Sequence, residues 1–342
     1  MEANVPRRSR LSLSQYQEGV LAGDVITLSR AITLIESRKE EDRALSGLLL
    51  EGLLPYSKDK NCIRIGITGV PGVGKSTFIE TFGMHLIEEV GLKLAVLAVD
   101  PSSERSRGSI LGDKTRMAQL AAHPRAYIRP SPSQSTLGGI AKRTREVMFL
   151  CQVAGYEVIL VETVGVGQSE TMVSRMTDFF LLLMLAGAGD ELQGIKKGIM
   201  EMADLIAITK ADGENKLAAQ RAKAEYKNAL HLFPPKSNGW FPEVITCSAL
   251  QKEGIVQIWE MIEKFALEQQ KKGFWIDNRS EQNVFWLKET IRETLESSFY
   301  AQPTIQEHWQ NTIHQVATGA QDISQATNFL IDLYRKSFFS EK

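Results

Sequence analysis

Three cysteines and five histidines in 342 residues leave little material for a metal or redox centre. Cys62, Cys151 and Cys247 are scattered, each in or beside an apolar stretch. No Cys-x-x-Cys occurs, and the histidines form no ligand-spaced cluster. The cysteines read as small buried hydrophobes in a reducing compartment rather than as ligands or disulfide halves. Long apolar runs are missing too. The longest, Phe179 to Ala186, is much too short to cross a bilayer, so no membrane partner is expected. Charge of one sign is not in excess either. A formal net charge of −1 argues against nucleic-acid binding by bulk electrostatics, although it leaves room for a local basic patch. The amino terminus carries Arg7, Arg8 and Arg10 but no apolar core of a secretory signal. Helix-like sequence begins within about a dozen residues, so a cytoplasmic protein is expected. What remains is 43% apolar and 24% charged residues over a length able to bury a large core. That is ordinary globular composition, with one sizeable domain plus extensions, or two domains.

One stretch carries chemistry at once. Ile63 to Thr68 is a short β-branched run of the kind that fills a buried parallel strand. It leads into Gly69-Val70-Pro71-Gly72-Val73-Gly74-Lys75-Ser76, which matches G-x-x-x-x-G-K-[ST] at every fixed position. Thr77 and a helical run from Ser76 to Val90 follow. Glycines let the backbone fold around phosphate oxygens with several N–H groups pointing inward, and the helix N-terminus adds partial positive charge. Lys75 is expected to reach the β- and γ-phosphates, and the Ser76 hydroxyl to ligate Mg²⁺. A nucleoside-triphosphate site is expected here.

The rest of the chain is organised around that stretch. Residues 1–60 read as a helical extension. Asp24 is a plausible N-cap, Leu28, Ile32 and Ile35 share one face, and Asp42–Leu54 carries a leucine face (Leu45, Leu48, Leu49, Leu53). From 61 to 270 strands alternate with helices: Ile63–Thr68, Leu94–Val99, Ala126–Arg129, Val158–Glu162, Phe179–Leu185, Leu205–Thr209 and Val244–Cys247. This is the α/β pattern of a P-loop NTPase with a largely parallel central sheet, whose ligand-binding residues should gather at the carboxyl ends of the strands. From 271 to 342 three amphipathic helices are expected. One shows Val284, Leu287, Ile291 and Leu295, the next Ile305, Trp309, Ile313 and Val316, and the last runs from Ile323 to Tyr334. They either cover the nucleotide domain or form a self-association surface.

Further motifs fall at the predicted strand ends. Val158–Val161 leads into Glu162-Thr-Val-Gly165. An acidic residue here holds Mg²⁺ in P-loop hydrolases, and the Gly165 N–H meets the γ-phosphate. Asp100 closes the second strand and Asp113 lies farther along the same glycine-bearing loop, so both can complete the Mg²⁺ shell. Leu205-Ile-Ala-Ile-Thr209-Lys210-Ala-Asp212 resembles the guanine-reading Asn-Lys-x-Asp signature. Asp212 would accept from guanine N1–H and N2–H₂, donors that adenine lacks, and Lys210 would pack its stem along the base. Thr209 stands where Asn is usual; its hydroxyl either donates to guanine N7 or ties down the loop. Ser248-Ala249-Leu250 follows the last strand as a base-supporting loop does. Gly187 to Gly198, with Asp190, Glu191, Lys196 and Lys197, reads as a charged loop that a partner can capture to deliver a charge to the site.

Taken together the motifs resemble the MeaB/ArgK family of P-loop GTPases, a family that includes the methylmalonic aciduria type A protein of animals. The resemblance rests on Gly69–Thr77, Asp100-Pro-Ser-Ser103, Gly112-Asp-Lys-Thr-Arg-Met117, Glu162-Thr-Val-Gly-Val-Gly-Gln-Ser-Glu170 and Gly187–Gly198, and covers most of residues 15 to 300. It implies a GTP-binding and GTP-hydrolysing chaperone for an adenosylcobalamin-dependent acyl-CoA mutase, typically methylmalonyl-CoA mutase, and a homodimer formed through the C-terminal helices. It implies Mg²⁺-site roles for Ser76, Asp100, Asp113 and Glu162, and a signalling role towards the mutase for Gly187–Gly198. The expected reaction is in-line attack of water on the γ-phosphate, with Lys75 and Mg²⁺ offsetting charge. Gln168, three residues past Gly165, is the weak candidate for orienting that water, and Asp113, Gln168 and Lys197 are the regions a partner would order. Two other readings stay open: a kinase linked to basic amino-acid transport, for which no acceptor base is evident, and a metal-delivery GTPase, which the lack of His-rich or paired-Cys tracts disfavours.

Overall fold

The computed structural model describes residues 10–37, 39–57, 61–99, 117–130, 137–163, 169–187 and 197–339. Three helices come first: α1 (Leu13–Leu21), α2 (Val25–Glu36) and α3 (Glu40–Leu53). The α/β region follows as β1 (Ile63–Gly69), α4 (Lys75–Glu88), β2 (Leu94–Val99), α5 (Ala118–Ala122), β3 (Ala126–Arg129), α6 (Leu137–Val153), β4 (Val158–Thr163), α7 (Ser169–Ser174), β5 (Phe179–Leu185), α8 (Lys197–Met202), β6 (Leu205–Thr209), α9 (Lys216–Leu230), β7 (Glu243–Thr246) and α10 (Ile255–Lys271). Three more helices end the chain: α11 (Phe274–Ala301), α12 (Pro303–Ala317) and α13 (Ile323–Phe339). Among the described residues no helix is long and apolar enough to cross a membrane.

The seven strands form one sheet in the order β3-β2-β4-β1-β5-β6-β7, and every neighbouring pair is parallel. This is the parallel α/β sheet that the strand runs predict, with each strand end within one residue of its expected place. The last strand starts at Glu243 and ends at Thr246 rather than spanning Val244–Cys247. β1 lies between β4 and β5, so the chain leaves the sheet centre in both directions, and the crevice at the carboxyl end of β1 is where such sheets bind ligands.

Alternation within the strands sends side chains to two cores. On one face Ile65, Ile67, Leu160, Leu181 and Leu183 meet Phe78, Ile79 and Phe82 of α4 and Ile258, Ile262 and Phe265 of α10. On the other, Leu182, Met184, Ile206 and Ile208 meet Ala219, Ala222 and Tyr226 of α9. Phe78 and Phe82 are fully buried, which contributes about 1.5–3 kcal/mol each relative to leaving them exposed. Gly66 is dictated by close approach. A Cβ there would come within 2.8 Å of both Phe180 and Val173, so any larger residue would push α7 off the sheet.

The first three helices pack on one another and on α6. Ser12 and Gln15 form a capping box on α1, and Asp24 caps α2 by accepting from Thr27 N at 2.7 Å. In α3 the buried stripe is narrower than the leucine spacing suggests: Leu49 and Leu53 are buried, but Leu48 is 53% exposed. At the amino-terminal ends of β1 and β5 Arg279 of α11 holds Asp178 through both carboxylate oxygens, at 2.8 and 2.7 Å, and also donates to Cys62 O at 2.7 Å. A bidentate, largely buried pair of this kind fixes geometry as well as charge.

By internal packing the chain divides into Met1–Gln282 and Asn283–Lys342. Within the second unit α12 and α13 pack together, and Tyr334 stacks near Phe299 while its hydroxyl meets Ser298 Oγ at 2.6 Å. Ile305 and Leu330 are buried there, but Ile313 and Ile323 are exposed at 44% and 70%. Val284, Leu287, Ile291 and Leu295 of α11 are exposed at 51, 60, 50 and 59%.

Candidate active site

β1 ends at Gly69, where a Cβ would lie 2.5 Å from the backbone oxygen of Leu183. Only glycine fits there, so the loop leaves the strand close against β5. Val70 and Val73 turn inward, 9% and 1% exposed, and anchor the loop in the core. Val73 N donates to Val70 O at 3.2 Å. Gly74 has φ 88 and caps α4, so Lys75 and Ser76 occupy the first turn, where helical N–H groups lack intrahelical acceptors and attract an anion. Pro71, Gly72 and Thr77 lie exposed on the same turn.

Lys75 Nζ donates to Gly69 O at 2.9 Å across the mouth of the loop. Burial holds its ammonium pKa below the ordinary 10.5, and the Glu162 and Glu170 carboxylates act in the opposite direction. Glu162 is 5% exposed near the end of β4, in register with Ile67 of β1 and Ala98 of β2. Parallel pairing therefore sets this carboxylate at the same sheet edge as the loop. Ser76 and Glu162 are hard oxygen donors of the kind Mg²⁺ takes. Among the described residues no three His, Cys, Asp or Glu side chains converge.

The second half of the site lies at the ends of β6 and β7. Lys210 adopts φ 54 and Asn215 Nδ2 donates to its carbonyl at 2.7 Å, which fixes the turn. A Cβ built on Gly74 would lie 3.8 Å from Lys210 Cε, so the lysine stem passes beside the phosphate loop. Ser248 Oγ donates to Asp212 Oδ2, and Gln251 N donates to Ser248 Oγ at 3.1 Å. Thr81 of α4 reaches across to donate to Ala249 O at 3.1 Å, while Leu250 is 81% exposed. Gly254 closes this loop with φ 78; a Cβ there would meet Thr246 O at 2.4 Å. A carboxylate held by a serine, beside an exposed aliphatic stem, suits a planar base carrying adjacent N–H donors.

The structure thus brings Gly69–Thr77, Glu162, Thr209, Lys210, Asp212 and Ser248–Leu250 to one sheet edge. Asp100, Asp113, Gly165 and Gln168 lie outside the described residues, as do 188–196 and the side chain of Lys197. Three residues without an assigned role in the sequence also contribute. Glu170, 1% exposed in the first turn of α7, adds a second carboxylate acting on Lys75. Thr163 Oγ1 donates to Thr68 Oγ1 at 2.8 Å and ties the ends of β4 and β1. Thr81 holds the base loop. Glu170 had a signal in its place within the Glu162 motif; the threonine contacts join residues 95 and 168 positions apart and had none. A cavity of about 430 Å³ lined by Thr177, Phe180, Met200, Asp204, Lys236 and Trp240 opens at the amino-terminal edge of β5 and β6, away from all these groups.

Comparison with known proteins agrees with this geometry. The profile of the family described as "Methylmalonyl Co-A mutase-associated GTPase MeaB" matches residues 28–304. The Escherichia coli (strain K12) protein named GTPase ArgK is 50% identical over 291 residues, covering 85% of this chain and 87% of that protein. The Mus musculus protein named methylmalonic aciduria type A homolog, mitochondrial, is 43% identical over 325 residues, covering 93% and 78%. The crystal structure of a protein named LAO/AO transport system kinase superposes with a TM-score of 0.76 at 40% identity, covering 96% of this chain and 100% of that one. With a phosphate loop, a carboxylate at the end of β4 and a serine-held aspartate after β6 on one edge of a parallel sheet, the chain belongs to the MeaB family of mutase-associated P-loop GTPases.

Proposed function

We propose that this chain binds and hydrolyses GTP and couples the nucleotide state to loading and protection of an adenosylcobalamin-dependent acyl-CoA mutase, methylmalonyl-CoA mutase first among the candidates. The observation that carries the reading is the pairing of two half-sites: Lys75 at the phosphate loop and, across Gly74, the Lys210–Asp212 turn held by Ser248. The α4 N-terminus and Lys75 bind the phosphates; Asp212 and Lys210 bind guanine. Ser76 and Glu162 would hold Mg²⁺, joined by Asp100 and Asp113, and the ion would supply charge neutralisation on the phosphates. Lys75 offsets charge on the transferred group as water attacks in line, and the regions of Asp113, Gln168 and Lys197 complete the site when the mutase engages Gly187–Gly198. On this reading the protein works in the cytoplasm, without a nucleic-acid partner.

The test is phosphate release by the full chain with and without a cobalamin-dependent mutase. Hydrolysis should be slow alone and rise roughly 10-fold or more on adding the mutase, as partner-completed GTPase sites do. Rapid turnover that the mutase leaves unchanged would refute the coupling. Transfer of phosphate to arginine or ornithine would instead favour a kinase activity of the kind for which the related LAO/AO transport system kinase is named.

The exposed stripe Val284, Leu287, Ile291 and Leu295 supports a homodimer through α11. These residues recur at helical spacing along one face, and an uncovered apolar face of that length marks an interaction surface. Leu287→Glu combined with Leu295→Glu should convert the dimer to monomer in sedimentation analysis while leaving nucleotide affinity in place. A doubly substituted protein that still sediments as a dimer would place the interface elsewhere.

A further inference from the structure

Thr209 ends β6 and is 5% exposed. Its Oγ1 donates to Val73 O in the phosphate loop at 2.8 Å and lies 3.2 Å from Met184 O on β5. A hydroxyl has one proton, and both neighbours are carbonyls that only accept. Val73 and Met184 are themselves 1% and 0% exposed, so turning the proton elsewhere would take this donor from the carbonyl of a buried residue. An asparagine amide in this place has two N–H groups: one to make the same loop tie and one to reach purine N7. Threonine can do only the first.

We propose that Thr209 is a loop-tying residue that leaves N7 of the base without a side-chain donor at this position, so that the chain selects its nucleotide through the Asp212 edge and is indifferent to the atom at position 7. The proposal rests on the guanine reading above and narrows it. Guanine N1–H and N2–H₂ lie on the six-membered ring, within the pattern that Asp212, held by Ser248, accepts. N7 lies on the five-membered ring, away from that edge of the base. The Thr209 hydroxyl is spent on joining the phosphate loop to β5 and β6, so position 209 contributes to affinity by holding Val73 in place and contributes nothing to the choice of ring atom.

Displacement titrations on the full-length protein with GDP, 7-deaza-GDP and ADP decide it. The unaltered chain should bind GDP and 7-deaza-GDP within about twofold of each other, since no hydrogen bond is lost on replacing N7 by C–H. Thr209→Asn should create a preference for GDP over 7-deaza-GDP of roughly 2- to 10-fold, the worth of one neutral hydrogen bond. Thr209→Val, which keeps the shape but removes the tie, should weaken both guanine nucleotides equally. A preference of more than about twofold for GDP in the unaltered chain would overturn the proposal while leaving the guanine reading intact, because a lost N7 bond costs roughly 2- to 10-fold. A Thr209→Val loss confined to GDP would do the same. Should neither guanine nucleotide outcompete ADP, the guanine reading fails and this proposal falls with it. If Thr209→Asn does not fold, the comparison on the unaltered chain remains decisive.

Discussion

GTP hydrolysis by a Lys75→Ala variant is expected to fall roughly 10²- to 10³-fold, the usual cost of removing one preorganised charge-stabilising donor from a site that excludes water. The lysine lies in the first turn of α4, with Nζ donating to Gly69 O at 2.9 Å. Glu162 and Glu170 both act on it. With a nucleotide bound, the ammonium would turn from the Gly69 carbonyl to phosphate oxygens. Alanine would remove the cation that faces the two buried carboxylates as well as the contact to the transferred group. Nucleotide affinity should therefore weaken together with the rate. Arginine should not rescue, because its planar fork does not reproduce a compact ammonium in a loop this narrow. Single-turnover phosphate release separates the two effects. A rate constant equal to that of the unaltered protein at saturating GTP would remove Lys75 from the chemistry.

The second large effect concerns the base. Asp212→Asn should lower affinity for GDP by roughly 10²- to 10⁴-fold, since it loses two charge-assisted hydrogen bonds worth about 1.5–3 kcal/mol each. It should also raise affinity for xanthine nucleotides, which present a carbonyl where guanine presents its amino group, an acceptor that an asparagine N–H can meet. The serine that holds Asp212 survives the substitution, because an amide oxygen still accepts from Ser248 Oγ. A gain for XDP alongside the loss for GDP is what distinguishes altered recognition from a damaged loop. If both fell together, Asp212 would be only a structural partner of Ser248.

Much of this site is legible in the residues alone. Gly69 to Ser76 and the strand before it carry their meaning in fixed spacing, and the seven strand runs are short, apolar and bounded by turns. Side chains whose role depends on distant partners are not legible in the same way. Thr209 reads as a departure from a guanine signature, and only its approach to Val73, 136 positions away, shows what its proton does. Ser248 and Asp212 are 36 positions apart and meet because β6 and β7 pair in parallel. Helical spacing places Leu48 on one face with Leu49 and Leu53, yet it is exposed while they are buried, because spacing identifies a stripe without saying how wide the covering surface is. The α11 stripe shows the converse: its periodicity is plain, yet Val284, Leu287, Ile291 and Leu295 are exposed.

The short helices α7 and α8 begin within the two glycine-bearing motifs Glu162–Glu170 and Gly187–Gly198, at Ser169 and Lys197. They pack on each other, with Ser174 Oγ 3.2 Å from Met202 Sδ. Close-packed helices cannot slide independently without opening voids or forcing overlap. The two helices are thus yoked like two keys linked to one hammer: a displacement of either is felt by both.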